Sequence, residues 1–425
     1  MSETDRYKCP SCGGTMEFNP KAQNLKCPFC DVEMALEEYK SMAEQKAANN
    51  VDIQAGAKKM EADPEAGENA PAKYVCNTCG GEISPSFVSA STKCPFCDAP
   101  VVLTDKIKDQ QVPDLLIPFK FEKKDVKETY VKFVSKMKFV PASFKSSAHI
   151  DAIEATYVPF WLYSCKTDAK LTIEGEIITK STFGDTQKIK HDVYSLYREA
   201  QLDFKDVPAD GSKDMDDDLM DSLEPFKMDE ARPYDSMYLS GFGAQLFDVS
   251  AEDNTERVRE RMRNTVVQAV MKTLSDYENK SVKESEYRFT ENSIKYALFP
   301  VWIQKTSWNN EEYVFAMNGQ TGKFVGRVPV DKMKVTISWF VSTLITTIIG
   351  GFLYQAVEKD VGTGQAFMIA FIACAVVCGI VHAIIVAGNN NVASADMAME
   401  YGGELIPGDS SDAFVRTYTE TRSRK

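Results

Sequence analysis

The chain has 425 residues and carries 49 Lys and Arg against 62 Asp and Glu, a formal net charge of -13. The length allows two or three domains, and the acidic balance argues against a generally basic nucleic-acid binder. Residues 1–8 contain no apolar segment, so we expect no export signal.

Eight of the 11 cysteines form four Cys-x-x-Cys pairs. Fourteen residues separate the inner cysteines of each module, and the second module repeats the first at an offset of 67, as from Cys9 to Cys76. Two thiolates on each of two tight turns complete the tetrahedral shell of a structural Zn²⁺. We therefore predict two zinc ions per chain, one held by Cys9, Cys12, Cys27 and Cys30 and the other by Cys76, Cys79, Cys94 and Cys97.

A redox Cys-x-x-Cys motif would occur once, at a helix start after a strand, whereas here four pairs form two matched modules. All eight thiols are used, so neither site has an open position for catalysis. Both modules contain few Lys or Arg, partly balanced by Glu. This composition favours contacts with protein over the basic, aromatic surface that nucleic acid requires.

These modules predict zinc ribbons at residues 5–34 and 73–104. The intervening residues 35–72 are rich in Ala, Glu, Lys and Asn, with one aromatic residue, Tyr39. We expect a short helix at residues 36–46 and a flexible linker after it, which would let the ribbons reach separately.

Residues 112–330 have the pattern of an α+β domain. A strand-like segment and a helical segment precede each of two Pro-x-Trp motifs, Pro159 to Trp161 and Pro300 to Trp302, at an offset of 141. Alternating segments typical of hairpins follow both motifs. We predict an internal duplication of two strand-helix-hairpin halves.

Several conspicuous features of this domain predict structural roles. Residues 319–323 (GQTGK) lack the spacing and the Ser or Thr of a phosphate loop, and the acidic residues 214–218 lack the pattern of a calcium loop. We interpret them as a hairpin turn and a solvated loop, and Cys165, Trp161 and Trp302 as core residues. No catalytic constellation emerges, so we expect a protein that is not an enzyme.

Residues 335–357 and 365–387 are two uncharged runs long enough to cross a bilayer as helices. Small residues recur every four positions on both, which predicts that these faces pack together, within one chain or in a homo-oligomer. The first stripe is Ser338, Ser342, Thr346 and Gly350, and the second is Ala366, Ala370, Cys374, Cys378 and His382.

Basic residues flank this transmembrane hairpin on one side. Arg327, Lys332 and Lys334 precede the first helix, and the chain ends in Arg and Lys. The positive-inside rule places both termini in the cytoplasm, which agrees with reduced thiols. We expect residues 388–425 to form a mobile cytoplasmic tail.

Four features occur together in this chain: the two ribbons, residues 296–302 (YALFPVW), residues 318–323 (NGQTGK) and the hairpin. This combination resembles a bacterial family of membrane-anchored zinc-ribbon proteins, often labelled TFIIB-type zinc-ribbon or helicase-like. The resemblance covers nearly the whole chain. Asp31 and Asp98 stand where glycine is common in such ribbons. The helicase label finds no support, because the chain contains no Walker motif.

The resemblance implies a non-enzymatic scaffold at the cell membrane that works beside phage-shock protein A and SPFH-type proteins in envelope stress. A membrane-tethered nucleic-acid binder and a channel or transporter subunit are the alternatives. The predicted fold is multidomain, with two zinc ribbons, a duplicated α+β cytoplasmic domain and a C-terminal two-helix transmembrane hairpin.

Overall fold

A computed structural model describes residues 7–48, 57–59, 74–76, 79, 81–83, 89–97, 99–103, 107–108, 110–145, 152–183, 186–357 and 362–423. The chain is multidomain, with two cysteine clusters, a large sheet-rich domain and two apolar C-terminal helices.

The first cysteine-rich unit is a three-stranded antiparallel sheet followed by a helix. Its core is formed by Met16, Phe18 and Leu25, all buried. The helix covers the one predicted at residues 36–46. The elements are β1 (Glu17–Asn19), β2 (Asn24–Lys26), β3 (Glu33–Met34) and α1 (Leu36–Ala48).

The second unit is divided between two sheets. Its elements are β4 (Ala57–Lys59), β5 (Tyr74–Cys76), β6 (Glu82–Ile83), β7 (Ser89–Lys93) and β8 (Pro100–Val102). β4, β5 and β6 form a separate sheet, while β7 and β8 belong to the large sheet of the main domain. β4 lies within the stretch predicted as flexible linker, and its pairing with β5 corrects that prediction there. Most of the remaining linker lies outside the described residues.

The main domain is built on an eleven-stranded sheet, to which β7, β8 and the C-terminal strand also belong. Its own elements are β9 (Leu115–Leu116), α2 (Lys123–Ser135), β10 (Glu154–Phe183), β11 (Thr186–Asp210), α3 (Asp217–Ser222), β12 (Arg232–Pro233), β13 (Gly243–Gln245), α4 (Ala251–Thr273), β14 (Glu278–Trp308), β15 (Glu311–Asn318) and β16 (Phe324–Gly326).

The two Pro-x-Trp strands, β10 and β14, are antiparallel neighbours related by an approximate two-fold axis. Val158 lies opposite Phe299, its own counterpart at the offset of 141. β13 pairs parallel with β10 at residues 156–157, and β9 pairs parallel with β14 at the equivalent residues 297–298. Each short strand therefore joins the long strand of the other half.

The backbone hydrogen bonds repeat in the same way. Gly211 N donates to Pro159 O at 2.8 Å, and Gly319 N donates to Pro300 O at 2.8 Å. The helices α2 and α4 both begin with a capping box, in which two orphan N–H groups are satisfied reciprocally. The boxes are Glu122 with Asp125 and Ser250 with Asp253.

Beyond this centre, β10, β11 and β14 continue as a long antiparallel arm. β10 alone has 30 residues, and at 3.3 Å per residue it extends over about 100 Å. The apolar stripe of α4 packs against the beginning of the arm, where Val258, Met262, Val266 and Val270 are buried. Residues spaced by four face one side of a helix, so this stripe was predictable from the sequence.

The apolar runs form two antiparallel helices, α5 (Lys332–Val357) and α6 (Thr363–Ala387). The small-residue stripes meet within the chain, which confirms that prediction. Thr346 Oγ1 lies 3.7 Å from Cys378 Sγ, and His382 Nε2 lies 3.0 Å from Ser338 Oγ. The other faces expose large apolar side chains, among them Phe340, Leu353 and Ile384.

The prediction of a mobile tail is wrong for the described part of residues 388–425. Asn389 and Asn391 bond to backbone groups of the main domain. Residues Ile406–Ser423 then form β17, which pairs antiparallel with β11 along the arm. The polar composition of this segment suggested mobility, but a strand exposed on both faces needs few apolar residues when its backbone is paired.

Candidate metal centres

Four cysteines of the first ribbon converge on one point. The sulfurs of Cys9, Cys12, Cys27 and Cys30 all lie within 4.8 Å of one another. The Sγ–Sγ distances are 3.5 Å for Cys9 with Cys30 and for Cys12 with Cys27. A tetrahedral ion with 2.3 Å metal–sulfur bonds needs sulfurs about 3.8 Å apart, so this cluster has the size and donor set for a tetrahedral thiolate site.

Each pair sits on a turn that closes four residues after its first cysteine. Gly13 N donates to Cys9 O at 2.9 Å, and Asp31 N donates to Cys27 O at 3.0 Å. Both closing residues have left-handed backbone, with φ of 75° at Gly13 and 59° at Asp31. This conformation explains why glycine is common there, and Asp is among the few other residues that adopt it readily. Asp98 lies outside the described residues.

Repulsion between the thiolates of the cluster favours a bound cation. Burial opposes ionisation of Cys9, but N–H groups of Cys12 and Ser11 directed at its sulfur lower the pKa to about 7. The Val32 N–H favours ionised Cys30, yet the neighbouring sulfurs raise the pKa of that thiol to about 12. Neighbouring thiolates repel one another, and a bound metal ion removes this penalty.

The second ribbon repeats the arrangement for the three ligands whose side chains the structure describes. The sulfurs of Cys79, Cys94 and Cys97 lie within 4.8 Å of one another, and the Cys79–Cys94 Sγ distance is 3.7 Å. The backbone of Cys76 is in β5, and its side chain lies outside the described residues. Two clusters in the chain can therefore hold metal ions.

A phenylalanine lies between the second pair of cysteines in each ribbon and covers a glycine of the first turn. A Cβ on Gly14 would lie 2.5 Å from the Phe29 ring, and one on Gly81 would lie 2.4 Å from the Phe96 ring. Both rings remain exposed, Phe29 at 75% and Phe96 at 67%. We did not predict this contact, although both second pairs enclose the same Pro-Phe dipeptide, which is its signal in the sequence.

Both ribbons dock on residues 235–245 of the main domain, which corrects the prediction that they reach separately. Phe18 N donates to Ser240 O at 3.0 Å, and the Phe18 ring packs on Tyr238 and Phe242. Ser91, on β7, donates to Phe242 O at 2.8 Å. The apolar surface that the first ribbon cannot bury by itself is covered by these aromatic side chains.

Helix α2 connects the first ribbon to the apolar helices α5 and α6. At its N-terminal end, Lys21 pairs with Asp125 at 2.7 Å. Just beyond its C-terminal end, Phe139 O accepts from Asp331 N at 2.8 Å, and the Phe139 ring stacks on His382 at 5.6 Å. Because α2 has 13 residues, it spans about 20 Å between these contacts.

The acidic residues 214–218 are only partly the solvated loop that we predicted. Asp216 caps α3 by accepting from Leu219 N, and Asp217 pairs with Arg257 at 3.4 Å. Arg257 also pairs with Asp210 and Asp221. Burial and the charge of Asp217 raise the pKa of Asp210 to about 7, against the lowering effect of Arg257.

The three predicted core residues of the main domain are buried as expected. Trp161 and Trp302 are each 5% exposed, and Cys165 packs on Met262 of α4 with its sulfur 3.5 Å from the methionine sulfur. Burial raises the pKa of the Cys165 thiol, so this cysteine lies in a poor environment for a reactive thiolate.

The chain is 28% identical over 334 residues to the uncharacterized protein YdjG of Bacillus subtilis strain 168, a match that covers 79% of this chain and 92% of YdjG. No protein-family model matches the chain. No solved structure matches it either. The similarity covers most of both proteins, and the name of the relative states no activity.

Proposed function

We propose that this protein is a membrane-anchored zinc-ribbon scaffold that recruits cytosolic proteins to the bacterial membrane. The observation that carries the proposal is the connection from the first ribbon through α2 to the base of the two apolar helices. The contact of the first ribbon with α2 lies about 20 Å, the length of α2, from the base of those helices.

Zinc is the metal that we propose for both clusters. A four-thiolate, tetrahedral set suits Zn²⁺, while oxygen-preferring ions such as Mg²⁺ do not select it. Four thiolates fill the tetrahedral shell, so the ion would hold the ribbon together rather than activate a substrate. The ligands would be the eight paired cysteines, Cys76 included.

The two apolar helices act as a membrane hairpin in this proposal. Their 18-residue windows are only 17% buried within the protein, at mean hydropathies of 1.6 and 2.8. The two helix ends near the main domain are bonded to it, at Asp331 and at Asn389. The opposite ends, Val357 of α5 and Thr363 of α6, therefore point away from it. Lys332, Lys334 and Arg327 lie at the fastened end, and the positive-inside rule then puts the main domain in the cytoplasm.

We also propose that the main domain arose by duplication. The approximate two-fold axis through Val158 and Phe299, the exchanged short strands and the repeated capping boxes support it. A single fold unit copied once would reproduce these contacts together, whereas independent origins would have to produce each one separately.

Protein is the partner class that the charges favour. Lys26 of the first ribbon pairs with Asp31 and Glu33, Lys21 pairs with Asp125, and Lys40 pairs with Asp235. Lysines neutralised in this way contribute little to phosphate binding. The family resemblance extends the proposal to partners of the phage-shock protein A and SPFH types, in an envelope-stress assembly.

Co-purification from solubilised membranes tests this function. The full chain, its Cys27→Ser variant and a Ser11→Ala control are isolated, and co-purifying proteins and zinc are quantified on the same samples. Ser11 lies between two ligands without being one, so the control keeps the site. Loss of soluble partners only with Cys27→Ser supports the scaffold, whereas the same protein set with all three chains contradicts it.

A salt series separates the nucleic-acid alternative. If the chain bound nucleic acid through phosphates, its mobility shift with DNA or RNA would weaken steeply as salt rises. The scaffold proposal expects no such shift at physiological salt.

A further inference from the structure

The base of the two apolar helices, where α5 begins and α6 ends, is bonded to the segment that follows α2. Asn389 Nδ2, just beyond α6, donates to Lys138 O at 2.6 Å. The ammonium group of Lys334, in the first turn of α5, donates to Val140 O at 2.9 Å. Residues 136–140, 327–334 and 387–392 therefore form one connected surface at the base.

This surface is basic, although the whole chain has a net charge of -13. Its one acidic residue, Asp331, accepts from two N–H groups in the first turn of α5 and pairs with Lys334 at 3.3 Å. The other basic side chains are exposed and form no ion pair with any residue that the structure describes. We call the five basic residues the basic collar: Lys136, Lys138, Arg327, Lys332 and Lys334.

A groove of about 330 Å³ lies between α5 and α6 near the same end. Its lining includes Val335 and Trp339 of α5 and Gly379 and His382 of α6. A Cβ on Gly379 would lie 3.6 Å from Trp339 Nε1, so the missing side chain leaves space beside the indole ring. The groove is thus an apolar surface between the helices with room for a further group.

The basic collar and the groove adjoin on both helices. Lys332 precedes Trp339 by seven residues, so both lie on one face of α5, about 10 Å apart along its axis. On the other side of the groove, the His382 ring stacks on Phe139 at 5.6 Å, and Phe139 directly follows Lys138. A single molecule with a charged end and an apolar chain could therefore contact both.

We propose that the collar and the groove together bind an anionic phospholipid, with its head group on the collar and an acyl chain in the groove. The inference rests on the proposed membrane hairpin, which places the groove among lipid chains that are as apolar as its lining. Basic residues at the cytoplasmic end of transmembrane helices attract anionic head groups. A soluble anion would use the collar alone and leave the groove without an occupant.

Quenching by brominated lipids tests the site. Trp339 lines the groove, while Trp161, Trp302 and Trp308 belong to strands of the main domain. The full chain is reconstituted in phosphatidylcholine vesicles with a minor fraction of phosphatidylglycerol, and bromine is placed on the acyl chains of either this anionic lipid or an equal amount of phosphatidylcholine. The brominated anionic lipid should quench the fluorescence more strongly, and Trp339→Phe should abolish the difference.

Paired substitutions on α2 test the collar with a matched control. Lys136→Gln combined with Lys138→Gln should lower the affinity for the anionic lipid, relative to the zwitterionic lipid, on the order of tenfold. Lys123→Gln combined with Lys124→Gln makes the same charge change at the opposite end of the helix, on equally exposed residues. This control should leave the preference unchanged. Titration of the brominated lipid measures both affinities.

Equal quenching by the two brominated lipids, a difference that persists in Trp339→Phe, or the same loss in both paired variants would each overturn the proposal. Flotation of the same chain with vesicles of phosphatidylcholine alone tests the hairpin separately. A chain that floats but shows no preference would overturn the lipid site and leave the proposed anchor intact. A chain that does not float would overturn both.

Discussion

Asp210 is a carboxyl group that the fold buries at the end of β11. It is 2% exposed, and its Oδ2 has no hydrogen-bond partner among the described residues. Its pKa in the folded chain is raised from the ordinary 3.8 to about 7. The folded chain therefore holds a proton that the unfolded chain has lost, and the stability contributed by this group falls as the pH rises from about 4 to 7.

Replacement of Asp210 by Asn should remove this pH dependence. Relative to the unchanged chain, Asp210→Asn should gain stability progressively from pH 4 to pH 7, by at most about 4 kcal/mol, and no further above pH 7. Arg257 keeps Asp217 and Asp221 as partners. Melting temperatures over this pH range measure the effect, with the exposed Asp214→Asn as control, and a constant difference across the range would refute the assignment.

The two turn residues with left-handed backbone in the first ribbon, Gly13 and Asp31, lead to a second prediction. Gly13→Val should destabilise the metal-loaded ribbon by about 1–2 kcal/mol, because a β-branched residue is strained at positive φ. Gly13→Asn should cost less, since Asn tolerates this conformation as Asp31 does. Competition with a zinc chelator compares the two variants. Equal zinc retention by both would contradict a contribution of the left-handed backbone at residue 13 to zinc binding.

The packing of helix α5 against helix α6 depends on the small residues where they meet. A Cβ on Gly350 would lie 3.7 Å from both Ala370 Cβ and Cys374 Sγ, so the backbones are close there. Thr346→Leu or Cys374→Leu should separate the helices and lower the melting temperature of the detergent-solubilised chain. Ile348→Leu, on an exposed face, is the control. Unchanged melting in both stripe variants would contradict the packing.

The sequence predicted some elements well because their patterns are local. Apolar runs and four-residue spacing identified α4, α5 and α6 from the side chains of each helix alone. β17 was missed because its partner, β11, lies about two hundred residues earlier, and a two-sided exposed strand has no apolar alternation. The long arm was underestimated for the same reason, since Glu278 to Ser293 of β14 are mostly exposed.

At the level of the whole molecule, the thiol clusters were predictable and their surroundings were not. The spacing of Cys9, Cys12, Cys27 and Cys30 identifies a set that the fold does bring together. Docking of the ribbon on Tyr238 and Phe242 depends on complementary surfaces more than two hundred residues apart. Such tertiary contacts leave no periodic signal in either segment.

This docking predicts a specific effect of ribbon substitutions. Phe18→Ala removes the ring that packs on Tyr238 and Phe242, and it should destabilise the docked ribbon by about 3 kcal/mol. Limited proteolysis should then release the ribbon faster than from the unchanged chain. Phe29→Ala, at a 75% exposed position of the same ribbon, should leave the rate unchanged, and equal release in both variants would argue against docking.

We propose that metal-loaded ribbons hold cytosolic proteins at a membrane. Vesicle flotation tests this proposal, with the reconstituted full chain and the soluble partners identified by co-purification, before and after zinc is removed and restored. We predict that the partners float with zinc-loaded chains, remain in solution after chelation, and float again when zinc returns, while the chain itself stays with the vesicles throughout. Partners that float equally without zinc, or a chain that leaves the vesicles, would contradict the proposed scaffold function.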